Sequence, residues 1–185
     1  MDVRHRTVLY EVAGSSVEEI SASLDRAAPR IEGGRFRGTT EWNVQWRFGY
    51  APAGSGCSIT ELDVDLHVTT TVPRWSPPPD ATRELVALWR SYRSALDAHE
   101  AGHRAFAVEA ANEVARTLRG LRSASCVALP EEANARGHAV VERFRRAQRR
   151  YDRRTGHGRT QGAGWPPDDL GAGGAIHAGS PDARD

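Results

Sequence analysis

The chain has 185 residues, of which 39% are hydrophobic and 26% charged, enough for one domain of ordinary size with its own core. A formal net charge of +1 excludes a bulk electrostatic pull toward nucleic acid or an acidic membrane. No apolar run reaches the ~18 residues that a membrane-spanning helix needs.

At the start, Met1-Asp2-Val3-Arg4-His5-Arg6 leads straight into a strand-like segment. It shows no apolar stretch followed by a small-residue cleavage site, so no signal peptide is expected. Either the protein stays in the cytoplasm or this start is not the native one. Thr7 to Val12 alternates β-branched, aromatic and polar side chains and predicts a strand. Gly14-Ser15-Ser16 predicts a turn, and Ser16 caps a helix with Glu19 as its box partner. That helix runs to about Ala27 and stops before Pro29. Gly33-Gly34 predicts a second turn.

From Phe36 to Tyr50, Trp42, Val44, Trp46 and Phe48 alternate with Asn43, Gln45 and Arg47, the period of a half-buried strand. Pro52 to Gly56 reads as a hairpin-length loop. Ser58 to Val72 alternates again through Ile59, Leu62, Val64, Leu66 and Val68. The register break between Ile59 and Leu62 predicts a bulge. The two long strands are expected to be antiparallel neighbours, and Pro73 to Pro79 is expected to end the sheet.

Asp80 or Thr82 caps the next helix, with Glu84 in its first turn. Leu85, Leu88, Trp89, Tyr92 and Leu96 form its apolar stripe, which continues through His99 and His103 to Phe106, Ala110, Val114 and Leu118. Both histidines therefore face the protein. A straight helix from 82 to 119 would span ~57 Å, and a bend or break is expected in it. Gly120 to Leu129 connects to a helix opened by Pro130 at its first position. Its inner face is Val140, Val141, Phe144, Ala147 and Tyr151, and it ends near Thr155-Gly156. Arg143, Arg145, Arg146, Arg149, Arg150, Arg153 and Arg154 crowd its last turns. A solvated face near a helix C-terminus accounts for such a run. Apart from Tyr151, and Phe144 of the inner face, it lacks the interleaved aromatics of a nucleic-acid footprint. From Gly162 the chain is rich in Gly, Pro and Asp without periodicity. Residues 1–161 are expected to form the domain and 162–185 a disordered tail. There are no internal repeats.

The chemistry lies in His99-Glu100-Ala101-Gly102-His103. On a helix, residues i and i+4 share a face, so His99 and His103 can offer two imidazole nitrogens to one metal ion. Glu100 then lies where a carboxylate can take a proton from water. Gly102 costs ~1 kcal/mol against Ala in a helix interior, which suggests close approach of another backbone or of substrate. A catalytic zinc site needs a third protein ligand. The histidine candidates are His5, His67, His138, His157 and His177. The carboxylate candidates are Glu109, Glu113, Glu131, Glu132 and Asp152. His157 lies between Gly156 and Gly158, whose backbone freedom can place an imidazole. The extended pattern HExxHxxGxxH is absent, because position 106 is Phe and 109 is Glu. Cys57 and Cys126 belong to no CxxC pair, so they are either buried thiols or one disulfide. Bridged, they would close a long loop worth ~4 kcal/mol.

An ordered set of segments is more specific than the five residues alone. Tyr10-Glu11-Val12-Ala13-Gly14, Thr40-Glu41-Trp42-Asn43-Val44, Cys57 and Thr71-Val72-Pro73 precede the HExxH helix. Cys126, Tyr151-Asp152, Thr155, His157 and Gly158 follow it. In these the chain resembles a bacterial family of secreted zinc-dependent proteases, known mainly as a domain of unknown function with a zincin-like motif. The resemblance implies a Cys57–Cys126 disulfide and a secreted or periplasmic location. It also implies that the Tyr-Asp…Thr-x-His-Gly segment returns to the active site. His157 is then the expected third ligand, and Asp152 the alternative or a partner behind the ligands. Tyr151 is expected to donate a hydrogen bond to a developing oxyanion or, failing that, to pack as a core aromatic.

The expected fold is α+β and zincin-like, a small antiparallel sheet against a long HExxH helix and a second C-terminal helix. The expected function is zinc-dependent hydrolysis of a peptide or protein substrate, with Glu100 as general base and His99, His103 and His157 holding Zn²⁺. An inactive metal-binding or interaction module is the alternative from another class, and a DNA-associated metalloprotease using the Arg helix is a third.

Overall fold

The computed structural model describes residues 1–31 and 34–167. Gly33 of the expected turn, His177 and the tail from residue 168 onward lie outside the described residues. The fold is α+β, a small mixed sheet with three helices. Strand β1 (Asp2–Val12) leads to α1 (Val17–Ala27), then to the short strands β2 (Arg30–Ile31) and β3 (Gly34–Arg35). The long strands β4 (Thr39–Ala53) and β5 (Gly56–Trp75) follow, then α2 (Arg83–Leu118), β6 (Arg122–Ser123) and α3 (Leu129–Thr155). A 3-10 turn covers Arg159–Gln161.

Strand β5 is central, flanked by β4 on one side and by β1 and β6 on the other. β4 and β5 pair antiparallel, as expected, around a turn tighter than expected, Gly54-Ser55. Gly49 pairs with Glu61 and Tyr50 with Ile59, so Thr60 is the extra residue of a bulge where the register break predicted one. Two expectations are corrected. The sheet is not wholly antiparallel, because β1 runs parallel to β5 from Asp2↔Asp65 to Val12↔Trp75. Nor does Pro73 end the sheet, since β5 passes through it to Trp75. β4 begins opposite Thr71, so at Pro73 the strand has a neighbour on one side only and a missing N–H is tolerated.

Ser16 caps α1 by accepting from Glu19 N, while the Glu19 carboxylate accepts from Ser15 rather than from Ser16. Thr82 caps α2. This helix is unbroken over 36 residues, about 54 Å at 1.5 Å per residue. Two cores stabilise its length. Leu85, Trp89, Tyr92 and Leu96 pack with Val12, Ile20, Leu24, Val72, Trp75 and Trp165. Ala107, Ala110, Ala111, Val114 and Leu118 pack with Ile59, Val64, Leu66, Leu129 and Val141. The first core holds the chain beyond Gly162. Ala163 and Trp165 are buried there, Trp165 only 4% exposed, so residues 162–167 belong to the folded body and not to a tail.

Helix α3 starts one residue before Pro130 and ends at Gly156, a left-handed cap with φ 56°. It runs antiparallel to α2: Arg143 pairs with Glu113, Gln148 donates to the His103 carbonyl, and Tyr151 reaches the His99 carbonyl. Cys57 on β5 is bonded to Cys126 in the connector, which ties the second core together.

Candidate metal centre

His99, Glu100 and His103 fall between the two cores, at 3%, 2% and 7% exposure. The apolar stripe of α2 aims them inward, and α3 ends beside them. Asp152, near the C-terminus of α3, meets both histidines. His103 Nε2 lies 2.9 Å and His99 Nε2 3.3 Å from Asp152 Oδ1, and the two Nε2 atoms are 3.2 Å apart. Tetrahedral zinc with bonds of about 2.0–2.1 Å places its donors roughly 3.3 Å from one another. His99, His103 and Asp152 thus form a donor set that could hold a metal ion.

His157 lies outside this set. Its Nδ1 is 3.8 Å from Asp152 Oδ1, its side chain is 59% exposed, and its ring packs against Phe36 at 5.3 Å. The reason is backbone. Gly156, His157 and Gly158 all adopt positive φ, 56°, 54° and 85°, and this reversal turns the His157 ring toward the rim. It also brings Gly158 and Gln161 onto His99. A Cβ at Gly158 would stand 3.0 Å from His99 Cγ. The Thr-x-His-Gly segment does return to the site, through its glycine and Gln161.

Gln161 fixes one histidine. His99 Nδ1 lies 2.9 Å from Gln161 Oε1, so Nδ1–H donates there and Nε2 keeps its lone pair for a metal. The Gln161 amide donates to the Tyr151 hydroxyl at 3.2 Å. Tyr151 stacks on His99 with centroids 4.9 Å apart and planes at 12°. It fills the space above Gly102, where a Cβ would come within 2.5 Å of its hydroxyl. The group that approaches Gly102 is thus a side chain, Tyr151, and not the backbone or substrate expected. The tyrosine lies behind the histidines and does not line the cleft, where an oxyanion donor would have to stand.

Glu100 is positioned from the sheet. Thr40 Oγ1 donates to Glu100 Oε2 at 2.7 Å. Thr40 lies 3.2 Å from the Thr70 hydroxyl, which in turn lies 3.1 Å from His5 Nε2. Oε1 lies against position 38, where glycine leaves it room: a Cβ there would stand 2.6 Å from it.

Electrostatics follow from this packing. Burial raises the Glu100 pKa above the ordinary carboxylate range, against the Thr40 hydrogen bond and the two histidines. For Asp152 burial also pushes upward, but hydrogen bonds with His103 and His99 and the charges of His103 and His157 win, holding its carboxyl below the usual range. For His99 burial works downward, and hydrogen bonds with Asp152 and Gln161 outweigh it, so its pKa is raised.

The remaining candidates lie elsewhere. His138 packs on Trp46, Glu113 pairs with Arg143 and Arg116, Glu132 pairs with Arg136, and Glu109 lines a separate groove beside His5. Glu131 lies in the first turn of α3 and His67 on β5 opposite Asn43. Sequence reasoning missed Thr40, Gly38, Gly158 and Gln161 as site residues. Of these Thr40 and Gly158 lay in the matched segments, and nothing local marked Gly38 or Gln161.

The donor set opens into a cleft of about 1250 Å³. Leu96, His99, Glu100 and His103 form its floor, α3 one wall, the segment from Phe36 to Trp42 the other, and residues 163 to 167 its end. Residues 7–158 match a family described as bacterial protein of unknown function (DUF922), and the chain belongs to that family. No curated protein and no solved structure matches it.

Proposed function

We propose that this member of the DUF922 family is a zinc-dependent peptidase. The observation that carries the reading is a two-histidine, one-carboxylate donor set with a buried glutamate between the histidines, all facing one cleft. Zn²⁺ held by His99, His103 and Asp152 would polarise the scissile carbonyl and lower the pKa of a water toward ~7. Glu100 would accept a proton from an attacking water at Oε1, because Oε2 is held by Thr40. The water oxygen joins the carbonyl carbon, the C–N bond breaks, and Glu100 passes the proton to the leaving amine. Its raised proton affinity suits a group that must accept and then donate near neutral pH. Gln161, Tyr151 and Gly158 orient His99, and Thr40 orients Glu100.

The Cys57–Cys126 disulfide supports a site of action in an oxidising compartment, outside the reducing cytosol. No described helix is long and apolar enough to cross a membrane.

The test is metal content and turnover in the same preparations. The wild type is expected to carry one zinc and to cut members of a peptide library. Glu100→Gln should keep its zinc and lose at least a hundredfold in turnover, within the range of general base catalysis. Asp152→Ala should lose at least tenfold in zinc affinity. Normal turnover in Glu100→Gln sinks the mechanism, and iron in place of zinc sinks the metal assignment. Zinc bound at one equivalent with no peptide ever cut favours an inactive metal-binding module.

A further inference from the structure

The arginine run of α3 is not one surface. Arg143 pairs with Glu113 of α2, and the other six divide by helical spacing into two faces. Arg146, Arg150 and Arg154 project to solvent, as a solvated face requires. Arg145, Arg149 and Arg153, spaced i, i+4 and i+8, instead line the cleft that holds the donor set. Arg145 is engaged, paired with Glu142 at 2.8 Å and placed over the Trp42 ring. Arg149 and Arg153 have no acidic partner among the described residues, and they flank Asp152 at positions −3 and +1. Two guanidinium groups with no acidic partner among the described residues thus stand beside the donor set, in a chain whose net charge is only +1. Such groups bind carboxylates in a bidentate fork.

We infer that Arg149 and Arg153 select acidic peptides, binding substrate Asp or Glu side chains close to the bond that is cut. This rests on the cleft being the substrate groove of a peptidase. Spacing gives the pattern. One helical turn separates the two arginines by about 6 Å along α3. In an extended peptide, side chains two residues apart on one face are about 6.6 Å apart. The recognised sequence is therefore acidic-x-acidic. A nucleic acid fits the same cations less well. Among the described residues, the aromatic rings that line the cleft already carry contacts, which leaves less room for base stacking. Phe36 is taken by His157, Trp42 by Arg145, and Trp165 by the core.

The test separates this inference from the peptidase reading by measuring binding in a protein that does not turn over. A fluorescein-labelled peptide containing Glu-x-Glu is titrated with zinc-loaded Glu100→Gln, against the same peptide carrying Gln-x-Gln. The acidic peptide is expected to bind at least tenfold more tightly at low salt. Arg149→Glu with Arg153→Glu should abolish that preference. The same charge change at Arg150→Glu with Arg154→Glu, on the solvent face, should leave it intact. In the otherwise wild-type enzyme, Arg149→Glu should raise KM for acidic substrates with kcat little changed. Equal binding of the two peptides overturns the inference. So does a preference that survives the Arg149/Arg153 pair or is lost equally in the Arg150/Arg154 pair. Tighter binding of a single-stranded oligonucleotide than of the acidic peptide overturns it in favour of a nucleic-acid ligand. Failure to cut any peptide, with the acidic preference intact, removes the peptidase reading and leaves the binding site.

Discussion

The two halves of α2 are built from opposite materials. The N-terminal half buries bulky rings: Trp89 lies against Trp75, Tyr92 and Trp165, with ring centroids 5.3–5.6 Å apart. The C-terminal half buries alanines, Ala107, Ala110 and Ala111, which let α3 and the sheet approach closely. The difference decides where a cleft can form. Over the alanine half α3 covers the helix. Where α3 ends, the aromatic half is covered instead by α1, β1 and the segment around Trp165. The change of partner leaves an opening, and His99, Glu100 and His103 occupy it. The two histidines and Glu100 thus lie at a seam between two cores, buried on the helix side and facing the cleft beside the end of α3.

Removing a ring from the aromatic half is expected to cost the most. Trp89→Ala deletes the side chain that touches three other aromatics, and a loss of about 3–5 kcal/mol in unfolding free energy is expected. Denaturant unfolding followed by tryptophan fluorescence checks it. A loss under about 1 kcal/mol would show that the cluster is loosely packed and that the aromatic half does not depend on ring contacts.

The second break is in the alanine half, where a covalent tie stands in for bulk. The disulfide joins residues 69 apart, and the paired change Cys57→Ser with Cys126→Ser is expected to cost about 2–4 kcal/mol. Hydrogen exchange should then rise in the C-terminal half of α2 and the start of α3, while residues 85 to 96 stay protected. Equal loosening of both halves would mean that they unfold as one unit and that the distinction is one of composition alone.

What could be read from the sequence follows the same division. Period-two and 3.6-residue patterns run through β4, β5 and α2 because one face of each is buried along its length, so the elements and the inward aim of the histidines were legible. Partners were less so. Nothing in β1 says that it lies parallel to β5, since an edge strand offers the same alternation in either direction. Trp165 is one ring in a Gly- and Pro-rich stretch, and a single docked residue has no period to read. Gln161 and Gly38 act on groups that are distant along the chain, and their roles exist only once α2, α3 and the sheet are assembled. The third donor shows the limit most clearly. Asp152 is adjacent to Tyr151 of the apolar stripe, and whether it meets His103 depends on the register between α2 and α3, which spacing along one chain does not give.

The smallest expected effect tests that last point. If the seam's chemistry belongs to the two helices, His157 should matter little, although it is the histidine that glycine flanks and the resemblance favoured. His157→Ala removes a side chain that is 59% exposed and that packs its ring against Phe36. Its φ of 54° lies in the left-handed region, which histidine adopts more readily than alanine, so the substitution adds a small backbone strain. Stability should change by no more than about 0.5 kcal/mol, the ordinary range for such a surface position. Zinc affinity, measured by competition with a chromophoric chelator, should change less than twofold, against at least tenfold for Asp152→Ala. A tenfold loss in His157→Ala would place the loop histidine in the donor set. It would then move the centre from the meeting of two helices to the turn that follows α3.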